Sequence, residues 1–133
     1  MTYGKNKRMN DEVYKMRRVI IEMLYTINNL LKSKGMDKMP RLQVRIAEHT
    51  ECVNAWAILG RNEIYFPENR VYRNNNELFC TVVHECLHAV WGVEHYDGCW
   101  LMTGKATADR DTIRRSKSNA EVVDKMIEYI KGK

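Results

Sequence analysis

The stretch Asn74-Asn75-Asn76-Glu77-Leu78-Phe79-Cys80-Thr81-Val82-Val83-His84-Glu85-Cys86-Leu87-His88-Ala89-Val90-Trp91-Gly92-Val93-Glu94-His95 decides how this chain is read. Asparagines ahead of an apolar run offer side-chain oxygens to the first free N–H groups of a helix. Phe79, Val82, Val83, Leu87 and Val90 then recur at helical spacing, which predicts a helix from about 76 to 91. Gly92 is its natural stop, since a glycine adopts the left-handed conformation that closes helices. Three of the four histidines fall within twelve residues, on this helix and just beyond it.

The spacing has a chemical reading. Residues four apart lie about 40° apart around a helix, so His84 and His88 can turn their imidazoles toward one ion. Neutral imidazole suits Zn²⁺, and catalytic zinc usually takes three protein ligands and a water. Glu85 lies beside the first ligand, where it reaches that water rather than the metal. Zinc lowers the water's pKa to about 7, and the carboxylate accepts its proton and passes it to the leaving amine. H-E-x-x-H on a helix is a metalloprotease signature with this mechanism. The candidate site is therefore His84, His88 and His95 as metal ligands and Glu85 as general base. The expected cofactor is one catalytic Zn²⁺, and the expected substrate is a peptide or protein.

The whole chain sets bounds. At 133 residues it is expected to form one domain, with residues 1–9 as a basic tail. Apolar content of 44% and charged content of 29% are ordinary for a globular protein. No apolar run approaches a membrane span, and no signal core follows the basic N-terminus. A cytoplasmic monomer is the expectation. Cys52, Cys80, Cys86 and Cys99 form no C-x-x-C pair, so free thiols are expected. Cys80 and Cys86 read as small apolar residues on the helix, and Cys99 as a reserve metal ligand. Residues 1–50 hold eleven Lys/Arg against five Asp/Glu. No nucleic-acid motif accompanies that charge, so it reads as a solvated helix face and a basic tail, and nucleic-acid binding is not expected.

Outward from the motif, the elements follow from periodicity. Asn10 reads as an N-cap, and Val13, Met16, Ile20, Met23, Leu24, Ile27, Leu30 and Leu31 mark a long amphipathic helix over roughly 11–34, closed by Gly35. Leu42, Val44 and Ile46 alternate with polar residues as in a half-buried strand, and His49 beyond them reads as a surface residue. Ala55–Leu59 and Glu63–Phe66 flank Gly60-Arg61-Asn62 as a hairpin ended by Pro67. The second of these strands is expected to offer an open edge to an extended peptide. A turn-rich stretch is predicted over 93–110 and a final helix over about 118–131, with Val122, Val123, Met126, Ile127 and Ile130 inward. The fold class is α+β: a small twisted sheet with a long N-terminal helix, an active-site helix and a C-terminal helix.

These residues together resemble the metzincin clan of zinc peptidases, whose pattern is H-E-x-x-H-x-x-G-x-x-H followed by a methionine in a tight turn. The glycine matches Gly92, the third histidine His95, and the methionine Met102 in Gly98-Cys99-Trp100-Leu101-Met102-Thr103-Gly104. Ile64 to Gly104 looks most like the small archaemetzincin and snapalysin branches. The resemblance implies a zinc endopeptidase with Met102 as an apolar floor beneath the metal.

The chain departs from that pattern by one residue: three residues, not two, separate His88 from Gly92. An ungapped alignment puts Trp91 at the glycine and Glu94 at the third ligand. Met102, fourteen residues after His88, keeps the spacing that the resemblance leads one to expect. In a continuing helix His95 would lie about 10 Å beyond His88 along the axis, so the chain must turn back for the two to meet. His95 is the preferred third ligand, with Glu94 and Asp97 as rivals. A further rival is Glu121 on the last helix, in a gluzincin-like site. Asp97 is also a candidate partner for a ligating histidine, and Tyr96 a candidate oxyanion donor. Two other readings are a non-catalytic zinc module and a latent peptidase whose terminal segment fills its own cleft.

Overall fold

The computed structural model describes residues 11–48, 54–68 and 71–132. Asn10, the basic segment 1–9, His49 and Cys52 lie outside the described residues. The described chain is α+β, running α1 (Asp11–Ser33), β1 (Gln43–Ala47), β2 (Trp56–Ala57), β3 (Glu63–Pro67), α2 (Asn75–Trp91), α3 (Ala108–Ser116) and α4 (Asn119–Lys131). No helix among the described residues is long and apolar enough to cross a membrane.

The apolar stripe of α1 buries Val13, Ile20, Ile27 and Leu31, with Met16 and Met23 packed at its margin. The same face meets β1, α2 and α4. Helix α2 is buried on nearly every side from Glu77 to Ala89, as a central helix must be. At its start the Asn74 side chain accepts from the Glu77 N–H at 2.9 Å, and the Glu77 carboxylate accepts from the Arg73 N–H at 2.9 Å. These contacts satisfy donors that a helix start leaves free. At its end Gly92 takes φ 65°, and the Gly92 and Val93 N–H groups return to the carbonyls of His88 and Leu87.

The sheet has the order β1-β3-β2, with β1 parallel and β2 antiparallel to β3. Val44, Ile64 and Phe66 fill the core side, while Trp56 stacks on Tyr65 at 5.3 Å between centroids. The predicted hairpin is present, but its first arm is only two residues long. The edge expectation is corrected: β3 is the central strand, paired on both sides, and β1 and β2 are the outer strands among the described residues. The reason is non-local. The parallel register of β1 onto β3, Val44 opposite Ile64, consumes the edge that the hairpin alone leaves open.

The hairpin turn is docked on the end of α2. The Gly60 N–H donates to the His88 carbonyl at 3.1 Å and the Asn62 N–H to the Ala89 carbonyl at 3.4 Å. The last carbonyls of the helix, that of His88 shared with the Gly92 N–H, thus fix where β2 lies relative to the histidine face.

Helix α3 replaces part of the expected turn-rich stretch. It carries a single large aliphatic residue, Ile113, which is exposed, and its buried face is Arg110 and Arg114. Apolar periodicity is blind to such a helix. The readable signals were electrostatic: the Thr107 cap accepting from the Arg110 N–H, Asp109 and Asp111 in the first turn, Arg114 and Arg115 in the last. Its C-terminal end is tied to the start of α2, where the Arg115 carbonyl accepts from Asn76 at 2.9 Å and the Arg115 guanidinium pairs with buried Glu77 at 3.4 Å.

Candidate metal centre

Helix α2 presents His84 and His88 on one face, and the loop after Gly92 brings His95 back to them. One ring nitrogen from each of the three lies within 4.8 Å of the others, an arrangement that could hold a metal ion. Ring centroids are 4.6 Å apart for His84 and His88, 5.2 Å for His84 and His95, and 4.8 Å for His88 and His95. His84 and His88 are buried and His95 is exposed, so the group opens to one side.

Backbone carbonyls fix the tautomers. Nδ1 of His84 contacts the Leu101 carbonyl at 2.7 Å, and Nδ1 of His88 contacts the Val93 carbonyl. A carbonyl only accepts, so each Nδ1 must carry the proton and each neutral ring presents a bare Nε2. The two Nε2 atoms face each other at 3.0 Å. Two lone pairs at that distance repel unless a cation lies against both. Two nitrogens on one tetrahedral zinc at ~2.0–2.1 Å sit about 3.3 Å apart, so this separation is close to what a shared ion demands. Burial lowers the His84 pKa to about 3, with further lowering by the neighbouring His88, Arg114 and His95. Burial also lowers that of His88, and His95 adds to the effect. Both rings are therefore neutral at pH 7, the form that binds metal.

Glu85 completes the site. It is 4% exposed, and its Oε1 is the one fully buried side-chain oxygen or nitrogen without a hydrogen-bond partner among the described residues. Burial raises its pKa to about 8, partly opposed by Arg114. Its Oε2 lies 4.0 Å from Nε2 of His84. That contact is no ion pair at pH 7, because the carboxyl and the imidazole are both neutral there. An orphaned carboxyl oxygen beside three converging nitrogens fits a site built around a cation and a polar ligand.

The triad opens into a cavity of about 340 Å³, bordered by Ala55, Trp56 and Ala57 on the β2 side and by Arg110 and Arg114 on the α3 side. No residue of α4 lines it. Met102 is fully buried in the turn that follows His95, and its carbonyl accepts from the Tyr96 N–H at 3.0 Å. The other candidates stand elsewhere. Glu94 is exposed and outside the triad. Asp97 accepts from Thr103 at 3.2 Å and pairs with Lys105 at 3.5 Å, and the partners of His84 and His88 are carbonyls instead. Cys99 is buried in the core, where its Sγ accepts from the Leu101 N–H. Tyr96 is exposed, and its ring lies over Gly98. Glu121 is held in a capping box with Ser118 at the start of α4.

Two positioning residues were invisible in the sequence. Arg114 donates to the Trp100 carbonyl at 2.9 Å and to the Leu101 carbonyl at 2.8 Å, the same oxygen that orients His84. Gly104 lies under the His95 ring: a Cβ there would stand 2.6 Å from Nδ1 of His95. Gly104→Ala should therefore tilt that ring and weaken the affinity of the triad for a metal ion, with Zn²⁺ as the probe, about 10–100-fold, the range for lost outer supports, with little loss of thermal stability. Competition with a chromogenic chelator measures this, and an unchanged zinc affinity would free Gly104 of that role.

No family model, curated protein or solved structure matches the chain.

Proposed function

We propose that this protein is a zinc-dependent peptidase of metzincin-like type, hydrolysing peptide bonds with Glu85 as general base and then general acid. The observation that carries this reading is Glu85 itself. A purely structural zinc site is usually closed by four protein ligands and has no use for a buried carboxyl with an orphaned oxygen. The exposed His95 and the cavity beside the triad favour an open site.

His84, His88 and His95 would hold the ion, with the Leu101 and Val93 carbonyls locking two rings in the ligating tautomer. Zn²⁺ bound there would supply Lewis acidity, lowering the pKa of a water to about 7 and polarising a carbonyl. Glu85, kept protonated by burial, would lose that proton more readily beside a divalent charge, leaving its carboxylate available. Glu85 accepts a proton from water and delivers it to the departing amine. β2 borders the cavity, and an extended substrate held alongside it would lie across the triad.

The test is metal dependence. The zinc-loaded protein should cleave an unstructured protein such as casein, stop with 1,10-phenanthroline, and recover when Zn²⁺ is returned. A chain that holds one zinc yet leaves casein and a mixed peptide library intact would overturn the peptidase reading and leave a metal-binding protein.

A further inference from the structure

We infer that Arg114 and Arg110 form a carboxylate-binding subsite on the α3 side of the cavity, so that the substrate carries a negative charge next to the bond attacked. The word substrate rests on the peptidase reading above; the anion site does not.

The three arginines of α3 differ in their partners. Arg110 has Asp111 at 2.7 Å and Arg115 has Glu77 at 3.4 Å. Arg114, only 2% exposed, has no carboxylate within ion-pair distance among the described residues. Its Nε and Nη2 donate to backbone carbonyls, which satisfy hydrogen bonds without neutralising charge. A buried cation without a directly paired counter-charge is costly; burial and the repulsion of nearby Arg110 disfavour it, and Asp111 and Glu85 offset this only from beyond ion-pair distance.

Both guanidiniums keep a free end. Arg110 uses Nε and Nη2 on Asp111 and Arg114 uses the same two atoms on carbonyls, leaving each Nη1 without a hydrogen bond to the described residues. Neither Nη1 is sealed from solvent, since Glu85 Oε1 alone is both buried and unsatisfied. Both arginines line the cavity, and Glu85 is the one acidic side chain that does so. A bound divalent ion would make the cavity more positive still. Guanidinium N–H groups match the geometry of a carboxylate. One carbonyl oxygen, that of Leu101, accepts from both Arg114 and His84. A carboxylate on Arg114 would thus lie close to the reacting centre, as a free C-terminus or as an acidic side chain beside the scissile bond.

Binding to the zinc-loaded Glu85→Gln variant tests this without turnover. The probes are acetyl-Ala-Ala-Ala as free acid and as amide, and the amides of acetyl-Ala-Glu-Ala and acetyl-Ala-Gln-Ala, by calorimetry. One carboxylate probe should bind about tenfold or more tightly than its neutral partner, and which pair differs names the source. Arg110→Gln and Arg114→Gln, each introduced into that variant and each with zinc content checked, should erode that preference. Arg110→Gln keeps a long side chain on the buried face of α3 and gives up hydrogen bonds only to its neighbour Asp111, so it covers the case in which Arg114→Gln does not fold. Equal affinity for charged and neutral probes overturns the inference. So does a preference that survives the arginine changes, because the carboxylate is then on the metal. Wild-type cleavage without carboxylate preference leaves the peptidase reading standing and removes the subsite. Carboxylate-dependent binding without any cleavage does the reverse.

Discussion

Glu85→Gln is expected to lower peptide hydrolysis by about 10²–10⁴-fold, the usual worth of a positioned general base, while keeping one zinc per chain. Glutamine retains the shape of the side chain but cannot accept the proton. The three histidines and the carbonyl partners of His84 and His88 are untouched, so metal content should not fall. Activity and bound zinc measured on one preparation decide it. Full zinc-dependent activity in this variant would end the proposed mechanism.

The same substitution has a signature under chelator. Burial raises the Glu85 pKa from 4.5 to about 8. The folded chain therefore keeps a proton that the unfolded chain gives up across that window. Stability of the wild type falls as pH rises through it, because the native state binds more protons there. Glutamine does not titrate. Metal-free Glu85→Gln should thus be more stable than metal-free wild type above about pH 8, by an amount on the order of a few kcal/mol, and the gap should close near about pH 4–5. Denaturant melts at both ends of the range measure it. Parallel pH profiles for the two proteins would mean that the carboxyl is solvated.

The second large effect concerns the third ligand. His95→Ala should weaken zinc binding by more than about 100-fold, beyond the ~10–100-fold lost with an outer support. Glu121→Ala should leave zinc affinity unchanged and cost only a little thermal stability, because its carboxylate accepts from the Ser118 N–H at 3.0 Å in a capping box. Zinc dialysis and thermal unfolding of the two variants separate the outcomes. Zinc retained in His95→Ala and lost in Glu121→Ala would sink the histidine triad and restore the gluzincin-like alternative.

Much of the fold was legible because its signals are local. The stripe from Val13 to Leu31, the Asn74 and Gly92 boundaries of α2, and the Ser118 start of α4 all depend on residues within a few positions of one another. Helix α3 was missed because arginines, not aliphatics, form its buried face. An edge was expected at β3 because the pairing of β1 with β3, which makes β3 central, joins residues twenty apart.

The site divides along the same line. Sequence alone determined that His84, Glu85 and His88 share one turn of a helix, since a helix fixes the relation of residues four apart. It could not choose among His95, Glu94, Asp97 and Glu121, because the extra residue before Gly92 turns the exit direction by about 100°. Tertiary structure decided that His95 is the side chain brought to the pair. The left-handed turn at Gly92 returns the chain, the Val93 and Leu101 carbonyls hold it against the histidines, and Gly104 leaves room for the His95 ring. Each of those is a contact between segments, and no spacing in the sequence encodes it.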